Sequence, residues 1–564
     1  MTVQVSGSET DPNTANNQAT ATLAVTGSTY NLSPTLTSIS PAAIQSGAND
    51  TVITVTGAGF SSGSTVMLGT QALATGYTSS TTLTATVPEA QLASLGWAAI
   101  TVTNPAPGGG TSDAVPLSIF SVITLGVNHI LYDPYSQKIM ASVGSGSTAV
   151  TGNSLVAITP ETATVGTPVP IGSQPENMAL TSDGQVLYTI LTGSQSVAVF
   201  NMLTQAAEYT YAVPAMPNAD GIQALRGIAT QPGTENTVAL DLGDWAGNAI
   251  FDFNPTTQTA AIVGQASGPY SGSCIAFLDA GDMLAFDTDT SGATFDHYTV
   301  TAAGFTYYNY SQYTESTLKD FGCFKLSGGL AFANAGGVAN PATVPATQIG
   351  VFPVGGGGGY TTWGSFAPDT SLQSAFFMVD TQIVVNPSCN FPSNFDGIGY
   401  CTYLPNTTAD GIESFNENTF VPTGSVYLNM EAIEGNSSYT GVDVIRWGQD
   451  GLAVLTSGGH IYLMRGPFVV PQLLNLNSAA SLASSSITSI THGAGNTLLT
   501  LTGSNFVPGV AVTWNGSYRT TTIVDAAHVT VAIPASDLAA AGSGTLVATN
   551  PGASASSALT VTIN

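Results

Sequence analysis

Oxygen-bearing side chains alternate along the run Asp287-Thr288-Asp289-Thr290-Ser291-Gly292, which is the spacing at which a calcium-binding loop offers its ligands. Glycine at the sixth position suits the sharp turn of such a loop. The twelfth position is Tyr298 where a bidentate Glu is needed, although Asp296 is close by. The pattern gives a calcium hypothesis for Asp287, Asp289, Ser291 and Asp296. An ordinary Asx-rich hairpin turn explains the same residues.

The remaining chemistry-bearing residues form no recognisable catalytic set. The five histidines are His129, His297, His460, His492 and His528, and they show no metal-ligand spacing. The glycine run Gly355–Gly359 precedes neither a Lys-Ser/Thr pair nor a helix, so it favours a loop over a phosphate site. We therefore predict that the chain is not an enzyme, has no catalytic residues, and has no cofactor apart from the calcium hypothesis.

The four cysteines predict two disulfides. No C-x-x-C spacing is present, and an even number of cysteines in an extracytoplasmic chain is typical of disulfide pairing. Cys389 and Cys401 bracket a Pro/Asn/Gly loop that a bridge would close. Cys274 and Cys323 stand at the starts of two similar apolar segments and would link them. The alternative is four buried free thiols.

Composition indicates several β domains in an exposed location. A chain of 564 residues exceeds a single core, which stops growing at roughly 250–300 residues. Only 7% of the residues are charged, and 62 glycines and 30 prolines punctuate short Val/Thr/Ile/Tyr/Phe runs. The net charge of −27 disfavours nucleic acid, and no apolar run is long enough for a membrane span. Because few ion pairs can be lost as the pH falls, this composition suits a protein that must survive acid. A protein that avoids charge for other reasons would have the same composition.

The two ends of the chain repeat each other. Thr54–Phe60 corresponds to Thr500–Phe506, and Ile100–Pro105 corresponds to Leu546–Pro551, always 446 residues apart with no insertion or deletion. Short alternating strands with turn residues every 8–12 positions predict an antiparallel sandwich. Together with Ile39-Ser40-Pro41, these motifs resemble the IPT/TIG family of immunoglobulin-like domains. The resemblance implies structural spacers or adhesive modules at 34–120 and 486–564, without catalytic residues.

The middle of the chain, 121–480, repeats β-hairpin units about every 45–55 residues. The unit Pro175–Leu191 followed by Ser196–Asn201 shows the pattern of strand, Asp-Gly turn, strand, turn and strand. Repeats of this length with four strands each predict a propeller of about seven blades. The segments resemble the YVTN/NHL-like propellers of bacterial surface proteins. The predicted fold class is all-β, a seven-bladed propeller flanked by two Ig-like sandwich domains.

Residues 1–30 look like part of another domain. Asp11-Pro12 followed by Asn16-Asn17-Gln18-Ala19 resembles the last hairpin of Ig-like modules of the DUF11/CARDB sort. We expect that the sequence begins inside a longer precursor or at a processing site. Two isolated strands are marginally stable and have sticky edges. We predict that they pair with a neighbouring subunit, pack on their own module, or remain disordered. The residues predicted to form the apolar assembly face are Val3, Val5, Ala19, Ala21, Leu23 and Val25.

Three functions fit these observations. The first is an extracellular or cell-surface structural or adhesive protein, a subunit of a self-assembling filament joined by β-strand donation. The second is a monomeric adhesin that binds a carbohydrate or a surface protein, for which the aromatic run Phe305–Tyr313 is a candidate strip. The third is a propeller hydrolase or lactonase, for which no metal-ligand set was found.

Overall fold

The structure is a computed structural model. It describes residues 2–4, 9, 11–13, 18–20, 30–214, 224–243, 247–266, 274–287, 294–301, 304–310, 323–343, 346–354, 365–379, 411–435, 440–474 and 477–564. The chain forms two compact units. One contains Met1–Ile39, Val52–Thr86 and Ile100–Val115, and the other contains Ser40–Thr51, Val87–Ala99 and Pro116–Asn564.

The chain begins with a short antiparallel hairpin of β1 (Thr2–Gln4) and β2 (Gln18–Thr20), in which Val3 lies opposite Ala19. The strands that follow are β3 (Thr35–Ser40), β4 (Ala43–Gln45), β5 (Thr51–Ala58), β6 (Thr65–Leu68), β7 (Gln71–Ala72), β8 (Ala74–Ser79), β9 (Thr82–Val87), β10 (Gly96–Asn104), β11 (Gly110–Thr111) and β12 (Val115–Thr124). A 3₁₀ turn covers Glu89–Gln91. Four of these strands form a sheet in the order β3-β5-β9-β8, while β10 pairs with β6 and β11.

Alternation along these strands builds the core of the N-terminal module. In β9, Leu83 and Ala85 are fully buried while the threonines between them are part-exposed. The same period places Ile53 and Val55 of β5 inside. One side of each strand is therefore apolar and the other is polar, as the period-2 pattern predicts for a two-sheet sandwich.

Strand β12 serves two sheets in succession. Its residues Ser118–Phe120 pair in parallel with β4, and its residues Ser121–Thr124 pair antiparallel with β40 (His460–Arg465). The expected boundary between the first module and the propeller, at 120/121, thus falls inside one continuous strand. The last hairpin unit of the propeller therefore takes its outermost strand from this distant segment.

The middle region consists of consecutive sheets, here called blades, of which the first has five strands and the others have four. Blade 1 contains β13 (Val127–Asp133), β14 (Lys138–Val143), β15 (Ser154–Thr159), β16 (Thr164–Val165) and β17 (Val169–Pro170), and blade 2 contains β18 (Pro175–Leu180), β19 (Val186–Leu191), β20 (Ser196–Asn201) and β21 (Ala206–Ala212). Blade 3 contains β22 (Gly227–Thr230), β23 (Thr237–Asp241), β24 (Asn248–Asn254) and β25 (Thr259–Ala266), and blade 4 contains β26 (Ile275–Asp279), β27 (Asp282–Asp287), β28 (Thr294–Thr301) and β29 (Gly304–Tyr310).

Blade 5 contains β30 (Phe324–Ser327), β31 (Leu330–Ala333), β32 (Gly337–Asn340) and β33 (Thr347–Val351), and blade 6 contains β34 (Phe366–Asp369), β35 (Ser374–Val379), β36 (Gly411–Asn416) and β37 (Pro422–Tyr427). Blade 7 contains β38 (Gly441–Trp447), β39 (Gly451–Thr456), β40 and β12. One short helix, α1 (Met430–Glu434), precedes it, and 3₁₀ turns cover Pro160–Thr162 and Pro471–Leu474.

Among the described residues these seven sheets close into a ring. The first strand of each blade contacts the first strand of the next, and β38 of blade 7 contacts β13 of blade 1. Buried aromatic and aliphatic side chains fill the space between neighbouring blades, for example Tyr188 with Phe251 and Phe253 between blades 2 and 3. The predicted fold class, an all-β propeller with Ig-like domains, is confirmed.

The C-terminal module has β41 (Ser481–Ser485), β42 (Ser489–Ile490), β43 (Thr497–Ser504), β44 (Ala511–Trp514), β45 (Ser517–Arg519), β46 (Thr521–Asp525), β47 (His528–Ile533), β48 (Gly542–Thr549) and β49 (Leu559–Ile563). A 3₁₀ turn covers Ala535–Leu538. The two sheets are ordered β41-β43-β47-β46 and β42-β49-β48-β44-β45. Together they enclose a core around Trp514, Val531 and Leu546.

A buried asparagine explains the repeated Asn-Pro motif. The Asn104 side-chain amide donates to the carbonyls of Leu32 and Gly59, at 2.8 and 2.6 Å. In the second module Asn550 does the same with Ser478 and Asn505, at 2.8 and 2.7 Å. Every partner is shifted by the same 446 positions. In both copies the asparagine therefore links the segment before the first strand of the module to the turn after its third strand, β5 or β43.

Candidate functional site

The axial channel of the propeller contains a cavity of about 300 Å³. The first strand of each blade contributes residues to its wall, since these strands surround the axis. The lining residues that carry polar side chains are His129, Asn177, Cys274, Cys323, Lys325, Asn334, Ser365 and Asp443. Apolar side chains of Met178, Ile228, Phe324 and Phe366 complete it. The site is therefore a mixed polar and apolar pocket of the kind that holds a small ligand.

Lys325 and Asp443 form an ion pair across this wall. The Lys325 ammonium on β30 donates to Asp443 Oδ1 at 2.5 Å, and also to the carbonyls of Phe366 and Val444 at 2.8 Å each. It lies 5.4 Å from the Phe366 ring centroid. Asp443 follows a register shift in the pairing of β38 with β39. One lysine thus reaches from blade 5 past blade 6 to blade 7, and its three donors are all used.

His129 differs from the other four histidines of the chain. Its Nδ1 is buried and has no hydrogen-bond partner within the described structure. Burial lowers the pKa of His129, the Asp443 carboxylate beside it raises the pKa, and Lys325 lowers it further. The imidazole is therefore neutral at neutral pH. In each of His297, His460, His492 and His528, Nδ1 lies within 3.1 Å of a carboxylate or carbonyl oxygen.

The predicted disulfide between Cys274 and Cys323 is present and lies in the same wall. The two residues immediately precede the first strands of blades 4 and 5, with Cα atoms 5.3 Å apart. The bridge joins the two blades covalently next to the channel. The other predicted pair, Cys389 and Cys401, lies outside the described residues.

The structure describes only two of the four residues in the calcium hypothesis. Asp287 ends β27 and Asp296 lies buried in the neighbouring strand β28, while Asp289 and Ser291 lie outside the described residues. Within the described ranges, no group of three or more His, Cys, Asp or Glu side chains could hold a metal ion. The calcium hypothesis stays a prediction.

The structure describes only some of the residues predicted to form the apolar assembly face. Val3 and Ala19 lie opposite each other in the hairpin of β1 and β2. Val5, Ala21, Leu23 and Val25 lie outside the described residues. Among the described strands, β1 and β2 form a sheet of two that no third strand extends.

Sequence reasoning found the disulfide but missed the ion pair and the special position of His129. Lys325 and Asp443 are 118 residues apart, and no local pattern connects them. One signal was available. The chain has only seven Lys and Arg residues, and Lys325 stands two positions after a cysteine predicted to be bridged. Because Lys and Arg are rare in this chain, a lysine at the start of the first strand of a blade indicates that it has a specific partner.

A second cavity, of about 320 Å³, lies where the C-terminal module meets blades 1, 6 and 7. Its wall includes Tyr132, whose hydroxyl is 3.1 Å from that of Thr520, and the ion-paired residues Asp369 and Arg446. Trp447 also lines it, with a buried indole N–H that has no partner in the described structure. These contacts connect the module to the propeller.

Comparison with known proteins identifies the domains at both ends. Residues 34–119 and 484–563 match the model of the IPT/TIG domain. The predicted resemblance of the two end modules to the IPT/TIG family is therefore confirmed. IPT/TIG domains around a propeller fit a surface or adhesive protein. No curated protein matches the chain. No helix of the described residues is long and apolar enough to cross a membrane.

Solved structures match the chain only at low identity. The β-propeller domain of Swd1 from Myceliophteria thermophila is 9% identical with a TM-score of 0.39, over 60% of this chain and 96% of its own. An auxiliary nutrient binding protein from Bacteroides thetaiotaomicron is 9% identical with a TM-score of 0.33, over 76% and 97%. Citrobacter koseri AztD is 11% identical with a TM-score of 0.34, over 59% and 92%. TM-scores this low carry no argument about function.

Proposed function

We propose that the chain is an extracellular structural or adhesive surface protein whose copies assemble into a filament through residues 1–27. The observation that carries the proposal is the hairpin of β1 and β2, a sheet of two strands that no third strand of the described chain extends. A two-stranded sheet is marginally stable by itself and leaves donors and acceptors on both edges. A neighbouring copy that offers a sheet edge would satisfy those groups.

Strand addition supplies enough affinity for such a contact. Each main-chain hydrogen bond contributes a net of about 0.5–1.5 kcal/mol, and the added strand also covers apolar side chains. A contact in which each copy gives its segment to the next copy and receives one from the copy before it is heterologous, so it repeats along a filament unless the rotation closes a ring. The disulfide supports an oxidising, extracytoplasmic location.

The test compares the full chain with a variant lacking residues 1–27. We expect the full chain to form filaments visible by negative-stain electron microscopy and the deletion variant to remain monomeric by light scattering. Val3→Pro, which removes a strand donor, should act like the deletion, while the matched loop substitution Asn13→Ala should not. Filaments from the deletion variant, or a full chain that is monomeric at high concentration, would refute the proposal.

The channel cavity favours a second candidate, a monomeric adhesin that binds a glycan without catalysis. A neutral imidazole with a free acceptor, beside amide and hydroxyl side chains, suits the hydroxyl groups of a sugar. Glycan-array binding should be lost in His129→Ala and kept in His492→Ala, since His492 is exposed on the C-terminal module. Equal binding by the two variants would exclude the channel as the site.

A further inference from the structure

The Lys325 ammonium and the Asp443 carboxylate are in direct contact in the channel wall. Nζ lies 2.5 Å from Oδ1, and a carbon–oxygen bond of about 1.23 Å then places the carboxyl carbon within about 3.7 Å of Nζ. The carbonyls of Phe366 and Val444 hold the amine from two further directions. Holding two reactants together raises their effective concentration, up to about 10⁵–10⁸ M for well-oriented pairs, and so lowers the barrier to amide formation.

We infer that Lys325 and Asp443 become joined by an intramolecular isopeptide bond that ties blade 5 to blade 7. The balance of the step is simple. One proton passes from the Lys325 ammonium to the Asp443 carboxylate, giving an amine and a carboxylic acid. The Nζ lone pair then forms a bond to the carboxyl carbon, the carbon–hydroxyl bond breaks, and the departing oxygen leaves as water with a second proton from Nζ. Nothing is oxidised or reduced, so no co-reactant is needed.

His129 is placed to carry the proton between the two groups. All three residues line the same cavity, and the charges of Asp443 and Lys325 shift the pKa of His129 in opposite directions. Burial keeps the imidazole neutral by lowering its pKa, and Nδ1 has no partner in the described structure. With its proton on Nε2, the ring would take the second proton of Nζ at Nδ1, once Nζ has left one of its three acceptors, and would return that proton to the leaving oxygen.

The surroundings of the pair agree with a covalent link. Only 12% of the Asp443 side chain is exposed, and the Phe366 ring shields the amine, although 36% of the Lys325 side chain remains accessible from the cavity. After the reaction one N–H remains on nitrogen and keeps a hydrogen bond to one of the two carbonyls. The other carbonyl gives up its donor.

The bond would extend the covalent reinforcement of the ring. The Cys274–Cys323 bridge already links blade 4 to blade 5, beside Lys325. An isopeptide bond continues this link to blade 7, whose outermost strand is held to β40 by main-chain hydrogen bonds. The ring would then resist opening even where strand pairing breaks. This inference is independent of the proposed filament.

The test is the intact mass of the full chain, measured after denaturation with and without reductant. We expect a mass lower than the sequence mass by one water molecule, in addition to two hydrogens for each disulfide. Lys325→Arg keeps a cation at this position but cannot form this amide, so it should show the full sequence mass after reduction. A native chain that shows the full mass, once its disulfides are accounted for, overturns the inference.

Two further measurements separate the bond from other losses of water. A succinimide at an Asp-Gly pair such as Asp450-Gly451 also removes water, but it would persist in Lys325→Arg and so count against the inference. Proteolytic mapping should recover one branched peptide containing both residues. In Asp443→Asn the chain should lose ammonia in place of water. For His129→Phe we expect bond formation after refolding to slow by tenfold or more; an unchanged rate would remove His129 from the mechanism.

Discussion

Glu417 accepts the backbone N–H of Asp369 at 3.2 Å, so two carboxyl groups lie side by side in blade 6. Burial and, to a smaller extent, the Asp369 charge raise the pKa of Glu417 to about 8, although the hydrogen bond from the Asp369 backbone lowers it. The Asp369 side chain forms an ion pair with Arg446, with Oδ2 3.0 Å from Nε. Glu417 is therefore a mostly protonated carboxyl at neutral pH, and this has consequences for the stability of the fold.

The first prediction concerns pH. A carboxyl whose pKa is higher in the folded chain than its ordinary 4.5 stabilises the fold while it holds its proton. That contribution is complete below about pH 4.5 and is lost as the pH rises through about 8. Asp133, Glu176 and Glu413 shift in the same direction because of burial, so the fold should become less stable as the pH rises into this range.

Glu417→Gln tests this directly, because a glutamine does not titrate. Thermal unfolding midpoints at about pH 5, 7 and 9 should fall more steeply for the native chain than for Glu417→Gln. Glu161→Gln, at an exposed position, should follow the native chain. Parallel curves for the native chain and Glu417→Gln would contradict the assignment.

The second prediction concerns the ion pair between blades 6 and 7. Both side chains of Asp369 and Arg446 are more than four-fifths buried, so removing one partner leaves an uncompensated charge. Arg446→Met should destabilise the ring by about 3–5 kcal/mol in denaturant unfolding. The double variant with Asp369→Asn, which keeps the Oδ1 acceptor used by Ser371 and Leu372, should recover most of the loss. A double variant as unstable as the single one would mean that Arg446 acts through its bonds to Gly451 and Gln449 instead.

The third prediction concerns the disulfides. Replacing Cys274 and Cys323 together by Ser should lower the free energy of unfolding by about 2–4 kcal/mol, because the bridge restrains the unfolded chain. Adding reductant to the native chain should have a similar effect. Non-reducing peptide mapping should recover Cys274 with Cys323 and Cys389 with Cys401. Four free thiols in the native chain would disprove both pairings.

The fourth prediction uses the internal repeat as its own control. A Cβ on Gly57 would collide with the Thr35 carbonyl and the Phe60 ring, and one on Gly503 would collide with Ser481 and Phe506 in the same way. Each Gly→Ala change should destabilise its own module by about 1–3 kcal/mol, since backbone must move. Hydrogen exchange should rise in the altered module alone.

Gly96 and Gly542 provide the matched controls for this experiment. They also stand 446 residues apart, and a Cβ at either position meets no atom within 4 Å. Alanine at either position should leave hydrogen exchange of its module unchanged. Equal effects at the crowded and the open glycines would show that contact with the neighbouring strand is not the cause.

Much of the fold was predictable because its signals are local. Alternation such as Leu83/Ala85, turn residues, and the invariant offset between Asn104 and Asn550 identified two Ig-like modules and a ring of hairpins. The pairing of Cys274 with Cys323 followed from their places at the starts of similar segments. Period-2 patterns and turn chemistry act over a few residues, so a single sequence carries them.

The channel was decided only by the tertiary structure. Ring closure brings His129 of blade 1 beside Asp443 of blade 7, and it brings Lys325 to the same point from 118 residues away. It also divides β12 between two sheets. These contacts depend on the rotation accumulated from blade to blade, which sets which first strands face each other across the axis. No short stretch of sequence determines this accumulated rotation. The side chains that meet at the axis therefore cannot be paired from the sequence.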